Sequence, residues 1–181
     1  MFNLSGYDRF MSETRWLSDA ERDAWIRFTA VLELLPAALD THMLQDAHLT
    51  QFDYLTLAML SEAPGRVLRA SALAARTNAT LPRLSKSIGR LKARGLVDRS
   101  PCLDDRRATN VALTEAGWQK VVTTAPGHVE NVRAMVFDAL SPDQIAQLTA
   151  ISAALLTRLD PHGKMLASVT HDEVAAVDHR P

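Results

Sequence analysis

Apolar residues recur at Trp25, Phe28, Leu32, Leu35 and Leu39, in steps of three and four that draw one seam along a helix. Ser18-Asp19-Ala20-Glu21 opens it with capping-box spacing, serine and glutamate each able to satisfy the other's backbone N–H. Pro36 lies inside the seam and cannot donate to the carbonyl of Leu32, which predicts a kink or a shortened helix. A second helix is predicted from about Thr50 to Glu62, with Phe52, Leu55 and Met59 on one side and Ala63-Pro64-Gly65 ending it. Val67-Leu68 reads as a short strand, Ser71 to Arg76 as a compact helix, and Thr77-Asn78-Ala79 as the turn that follows.

From about Thr80 to Arg94, Leu81, Leu84, Ile88 and Leu91 form one stripe, while Arg83, Lys86, Ser87, Arg90 and Arg94 gather on another side of the axis. Gly95 supplies the left-handed stop, with Leu96 folding back on the last turn. Leu96 to Arg99 and Asn110 to Leu113 alternate like two strands, joined by a charged connection from Pro101 to Thr109. Thr114-Glu115 begins another helix, predicted to break or bend at Pro126-Gly127, with Val129, Val132 and Val136 continuing its face. The last helix starts at Ser141-Pro142-Asp143-Gln144 and carries Ile145, Leu148, Ser152, Leu155 and Leu159 at seam spacing. Positions 1–18 and 161–181 lack this periodicity and read as flexible segments.

Composition narrows the picture. The 181 residues are 47% hydrophobic, enough for a substantial core. The one cysteine excludes intramolecular disulfides and multi-thiolate metal cages, which fits a reducing compartment. No run of about 18 apolar residues occurs, so the expectation is a cytoplasmic protein without a membrane partner. The net charge of −1 conceals a segregation: from Arg66 to Arg107 eleven basic residues face three acidic ones, net +8, and the remainder is net −9. A basic block of this width is the footprint of a polyanion-binding surface, although each cation taken singly is equally well explained by solvation.

Two short helices joined by a tight turn, the second basic on its exposed face, followed by a charged hairpin, describe a winged helix-turn-helix. A major groove about 12 Å wide admits one helix, whose leading turns reach the base edges. Thr80, Arg83, Lys86, Ser87 and Arg90 are the candidates for that role, with Lys92 and Arg99 placed for the DNA backbone. The run from Gly89 to Trp118 resembles the MarR family of transcriptional regulators. Asp105-Arg106-Arg107 and Leu113-Thr114-Glu115-Ala116-Gly117 match, in order, the family's wing and the start of its next helix. The fold class implied is mainly α with a small β wing, covering residues 19–160. A DNA-binding lobe at about 50–113 would be flanked by dimerisation helices at about 19–46 and 114–160.

The resemblance implies more. Asp105 would brace Arg107, with Arg106, Arg107 or both entering a minor groove, whose negative potential attracts arginine where A·T pairs narrow it. Trp25, Phe28, Leu32, Leu148, Ile151 and Leu155 would lie at or near the interface of a homodimer bound to a pseudo-palindromic operator, most often as a repressor. Family members commonly sense a small aromatic or phenolic effector, and His42, Tyr54, Trp118 and His128 are the residues placed to line such a cleft, though each such residue is more often an ordinary core or surface residue. His42, His48 and His128 match no compact metal-ligand spacing, and no cofactor is expected. Cys102 abuts the wing but departs from the first-helix position of thiol-sensing relatives, which favours an inert thiol. The rival is a winged-helix module that binds a protein and no operator. Catalysis is disfavoured because no nucleophile elbow, phosphate loop, HExxH motif or carboxylate pair stands at mechanistic spacing.

Overall fold

The computed structural model describes residues 14–102 and 108–165. The chain divides into two compact units, Met1–Ala37 and Ala38–Pro181. The long helix α1 (Asp19–Ala47) runs through both. Its start is the expected capping box: the Glu21 carboxylate accepts from the Ser18 N–H at 2.8 Å, and Ser18 Oγ accepts from the Glu21 N–H at 3.3 Å. The helix is neither ended nor shortened at Pro36. One missing ladder bond is tolerated where Leu34, Leu35, Ala37, Ala38 and Leu39 surround it, all but the proline being good helix formers. Trp25, Phe28 and Leu32 all stand exposed, and the first buried residue of α1 is Met43.

In the second unit, α2 (Gln51–Ser61) is followed by a 3₁₀ turn (Pro64–Arg66), β1 (Val67–Arg69), α3 (Ala70–Arg76) and α4 (Leu81–Ala93). Strands β2 (Val97–Pro101) and β3 (Thr109–Leu113) then lead to α5 (Glu115–Met135), a 3₁₀ turn (Phe137–Ala139) and α6 (Pro142–Leu159). The three strands form one antiparallel sheet in the order β1-β3-β2. Leu68 and Arg99 both stand opposite Val111, so β3 is the central strand. The fold is mainly α with a small β wing, as the periodicity predicts. No helix among the described residues is long and apolar enough to cross a membrane.

The core is built from Leu57, Leu60, Leu73, Leu84, Ile88, Leu91, Val97 and Val111, all essentially inaccessible. On α2 the buried face is Tyr54, Leu57 and Leu60, whereas Phe52, Leu55 and Met59 are half-buried. Both sets have helical spacing. The phase is decided by Asp53 and Thr56, two polar residues that are buried on the core side once partnered. Leu81 also departs from expectation, standing 57% exposed in the first turn of α4. Helix α5 continues through Pro126 and Gly127 instead of breaking there. Helix α6 has the expected capping box at Ser141 and Gln144, and none of its residues is buried.

Two glycines fix the joints of the lobe. Gly95, at φ +69°, ends α4: its N–H donates to Lys92 and the Leu96 N–H donates back to Leu91 at 3.0 Å, the paired bonds of a Schellman stop. Gly117 sits one turn into α5 against the carbonyl of Leu96, and a Cβ there would fall 2.0 Å from that oxygen. Thr114 caps α5 by accepting from the Gly117 N–H, while its hydroxyl donates to the Gly95 carbonyl at 2.7 Å. The Leu-Thr-x-x-Gly run is thus the joint that sets α5 against the end of α4.

Candidate nucleic-acid interface

Helix α4 begins at Thr80, whose Oγ accepts from the Arg83 N–H, with Pro82 in the first turn where no donor is missed. Burial of Leu84, Ile88 and Leu91 fixes the roll of the helix about its axis. Arg83, Lys86 and Arg90 are thereby left on the solvent side. The Arg83 guanidinium lies over the Phe52 ring, 4.2 Å from its centre, a contact of the cation–π kind. Arg90 grips Asp53, its Nη2 donating to Oδ1 at 2.8 Å and its Nε to Oδ2 at 3.3 Å. Arg94 donates to the His48 carbonyl at 2.7 Å and ties the end of α4 to the chain just beyond α1.

Ser87 does not join the cationic side. It is fully buried, and its hydroxyl donates to Asp53 Oδ1. The position is three residues after Leu84 and four before Leu91, which puts it in the phase of the core stripe. The base or phosphate contact expected of Ser87 is therefore closed to it, its hydroxyl being buried and bonded to Asp53. Burial pushes the Asp53 carboxyl up, but hydrogen bonds from Arg90, Ser87 and Thr50 and the Arg90 charge outweigh it and hold the group below the usual carboxylate range.

The wing is joined to α4 by Arg99, whose Nη2 donates to the Ser85 carbonyl at 3.1 Å and to its hydroxyl at 3.2 Å. Between them lies an open cavity of about 420 Å³ bordered by Arg69, Ser71, Leu81 and Arg99. Among the described residues the hairpin's outermost rung is the Cys102 N–H donating to the Ala108 carbonyl at 3.0 Å, and the Cys102 side chain is buried. Asp105, Arg106 and Arg107 lie outside the described residues.

The candidate effector residues do not all converge. His42 and His128 border one cavity of about 230 Å³ with Asp46, Lys120, Thr124 and Asn131. Tyr54 reaches it through His128, the two rings packing at 4.8 Å between centres. Burial pushes the His128 imidazole below its usual pKa, and burial followed by the negative Glu62 pushes the Tyr54 hydroxyl up. Trp118 is engaged elsewhere, beneath Arg66 at 4.0 Å, while Arg66 also pairs with Glu115 at 3.3 Å. Among the described residues no three His, Cys, Asp or Glu side chains are grouped to hold a metal.

Sequence reasoning missed Phe52 and Asp53 as the supports of Arg83 and Arg90. A signal existed: Asp53 stands four residues before Leu57, an acid in the phase of the core face of α2.

A family model described as MarR family matches residues 49–108. Among solved structures, the chain resembles Sco3205 of Streptomyces coelicolor, a MarR family transcriptional regulator solved in complex with DNA. It is 37% identical, with a TM-score of 0.79, over 83% of this chain and 94% of that one. AbsC, a MarR family transcriptional regulator from the same organism, is also 37% identical, with a TM-score of 0.76 over 82% of this chain and 100% of that one. Sco5413, a third regulator of S. coelicolor, shares the fold at 18% identity, with a TM-score of 0.66 over 80% of this chain and 99% of that one.

Proposed function

The chain belongs to the MarR family of transcriptional regulators, and from that premise we propose that it is a homodimeric, sequence-specific DNA-binding repressor of the cytoplasm, released by a small-molecule effector. The observation that carries the reading is the orientation of α4. Three buried aliphatic residues fix its roll, and Arg83, Lys86 and Arg90 face outward at a spacing that suits one groove. Arg106 and Arg107 are proposed for the adjacent minor groove, with Asp105 bracing Arg107. The DNA complex of Sco3205 supports this reading by likeness.

Dimerisation is proposed through Trp25, Phe28, Leu32, Leu148, Ile151 and Leu155, large apolar side chains that all stand exposed in the single chain. A two-fold dimer calls for an inverted-repeat operator with half-sites about one helical turn apart. The cavity bordered by His42 and His128 is proposed to take a small aromatic or phenolic effector, with the His128 ring, backed by Tyr54, as its aromatic wall. Release then requires that the effector favour a dimer geometry in which the two α4 helices no longer match successive major grooves.

The test is titration of a duplex carrying the inverted repeat nearest the gene, at several salt concentrations. Affinity is expected to fall with a log–log slope of about −0.9 per neutralised phosphate. Combining Arg106→Ala with Arg107→Ala should weaken it further. Binding indifferent to both salt and these substitutions sinks the reading.

A further inference from the structure

Two cations of α4, Arg83 and Arg90, are held from outside their own helix by two adjacent residues in the first turn of α2. Asp53 is 4% exposed. A carboxylate at that depth is costly unless its oxygens are paired. Here they are: Ser87 donates to Oδ1 from the buried side, and Arg90 donates to both oxygens from the solvent side. Thr50 Oγ accepts from the Asp53 N–H at 3.0 Å and fixes the turn that carries it. One residue earlier, the Phe52 ring supports Arg83. Arg83 and Arg90 are seven residues apart, two turns along one face of α4.

A guanidinium has five N–H donors in a rigid fork. Asp53 takes the Nε hydrogen and one on Nη2, leaving three for an outside acceptor, and the Arg90 side chain remains 53% exposed. Pinned along one edge, the fork presents its other edge in a set direction, which reduces the ordering it must undergo on binding. Resting on the reading of α4 as the recognition helix, we infer that Asp53 is a specificity-determining positioning residue. It is too deeply buried to touch DNA, and it acts by aiming Arg90.

The alternative is that Asp53 merely ties α2 to α4, and the two roles separate in the ratio of specific to non-specific affinity. The wild-type protein is used to select duplexes from a randomised pool. Affinities are then measured for the selected duplex and for a scrambled one of equal length, with wild type, Asp53→Asn, Arg90→Ala and the double variant. Asparagine preserves the shape and one acceptor for Ser87 but removes the charge and the two-oxygen grip. The selected duplex is expected to bind about tenfold more weakly to Asp53→Asn, while the scrambled duplex is unaffected or tighter, because one negative charge beside the groove has gone. In the Arg90→Ala background the same substitution should cost the selected duplex nothing more.

An unchanged ratio, an equal loss on both duplexes, or losses that multiply in the double variant would each overturn the inference. Should Asp53→Asn not fold, Arg90→Lys serves instead. It keeps the charge and loses the fork, so the selected duplex alone should weaken by about tenfold, and an unchanged ratio again overturns the inference. A wild-type protein that enriches no sequence overturns the DNA-binding reading itself. One that enriches a sequence, with variants of unchanged ratio, overturns only the role of Asp53.

Discussion

Single side chains carry more of this lobe's geometry than their chemistry suggests. At Gly117 the absence of a Cβ is the whole function: the Leu96 carbonyl, already accepting the Thr114 N–H at 3.1 Å, occupies the space a methyl group needs. Backbone cannot yield as a flexible side chain would, so Gly117→Ala is expected to cost at least about 2–3 kcal/mol in urea unfolding. A loss below about 0.5 kcal/mol would mean that α5 can pivot freely at this joint. Two other residues contribute to the response to acid. His128 titrates below its ordinary value, so between that lowered pKa and about 6.5 the unfolded chain binds the extra proton. Stability is therefore full above pH of about 6.5 and declines as pH falls through the folded pKa, and His128→Gln should flatten that part of a melting-temperature profile. Asp53 has the same sign lower down: its contribution is present above a pH of about 3.9 and is lost as pH falls through its depressed value. Asp53→Asn should reduce that lower limb and leave the histidine limb in place.

At the scale of elements, the boundaries that follow from local chemistry were legible in the chain. Ser18 and Glu21, Thr80, Gly95, Thr114, and Ser141 with Gln144 each end or begin a helix by satisfying backbone groups within a few residues of themselves. What was not legible depends on partners far along the chain. Pro36 and Pro126 announce a missing donor, but whether a helix survives it depends on the turns on either side, and both helices do. The exposed cations of α4 could be read from period alone. Ser87 falls in the phase of the buried stripe, but a serine there needs a partner, and that partner, Asp53, is 34 residues away. Helix α6 tests how local its own stability is. None of its residues is fully buried in the single chain, so its cap carries weight, and Ser141→Ala should remove about 1 kcal/mol from that helix and speed amide exchange across Pro142–Leu159 about fivefold. Exchange in β2 and β3 should not change. An equal acceleration there would mean that α6 unfolds only with the whole lobe.

Over the whole molecule the segregated charge and the uncovered apolar faces have a joint consequence. The segment from Arg66 to Arg107 is net +8 while the rest of the chain is net −9. A monomer therefore approaches DNA with a local attraction and a global balance close to zero, and long-range steering is weak beyond a Debye length of about 8 Å at physiological salt. Pairing two chains does not change that balance per chain, but it doubles the number of phosphates neutralised in one binding event. The salt slope, which counts phosphates, should then report the oligomeric state. Ile151 stands exposed near the middle of α6 and away from the α4 cations in sequence, so Ile151→Glu places a charge in the proposed dimer face without altering the basic segment. Sedimentation is expected to show this variant as a monomer, and anisotropy titrations to give a salt slope about half that of wild type on the same inverted-repeat duplex. A variant that stays dimeric removes Ile151 from the interface. A monomeric variant with an undiminished slope would mean that one lobe alone makes the full set of phosphate contacts, and that the exposed seams serve something other than operator binding.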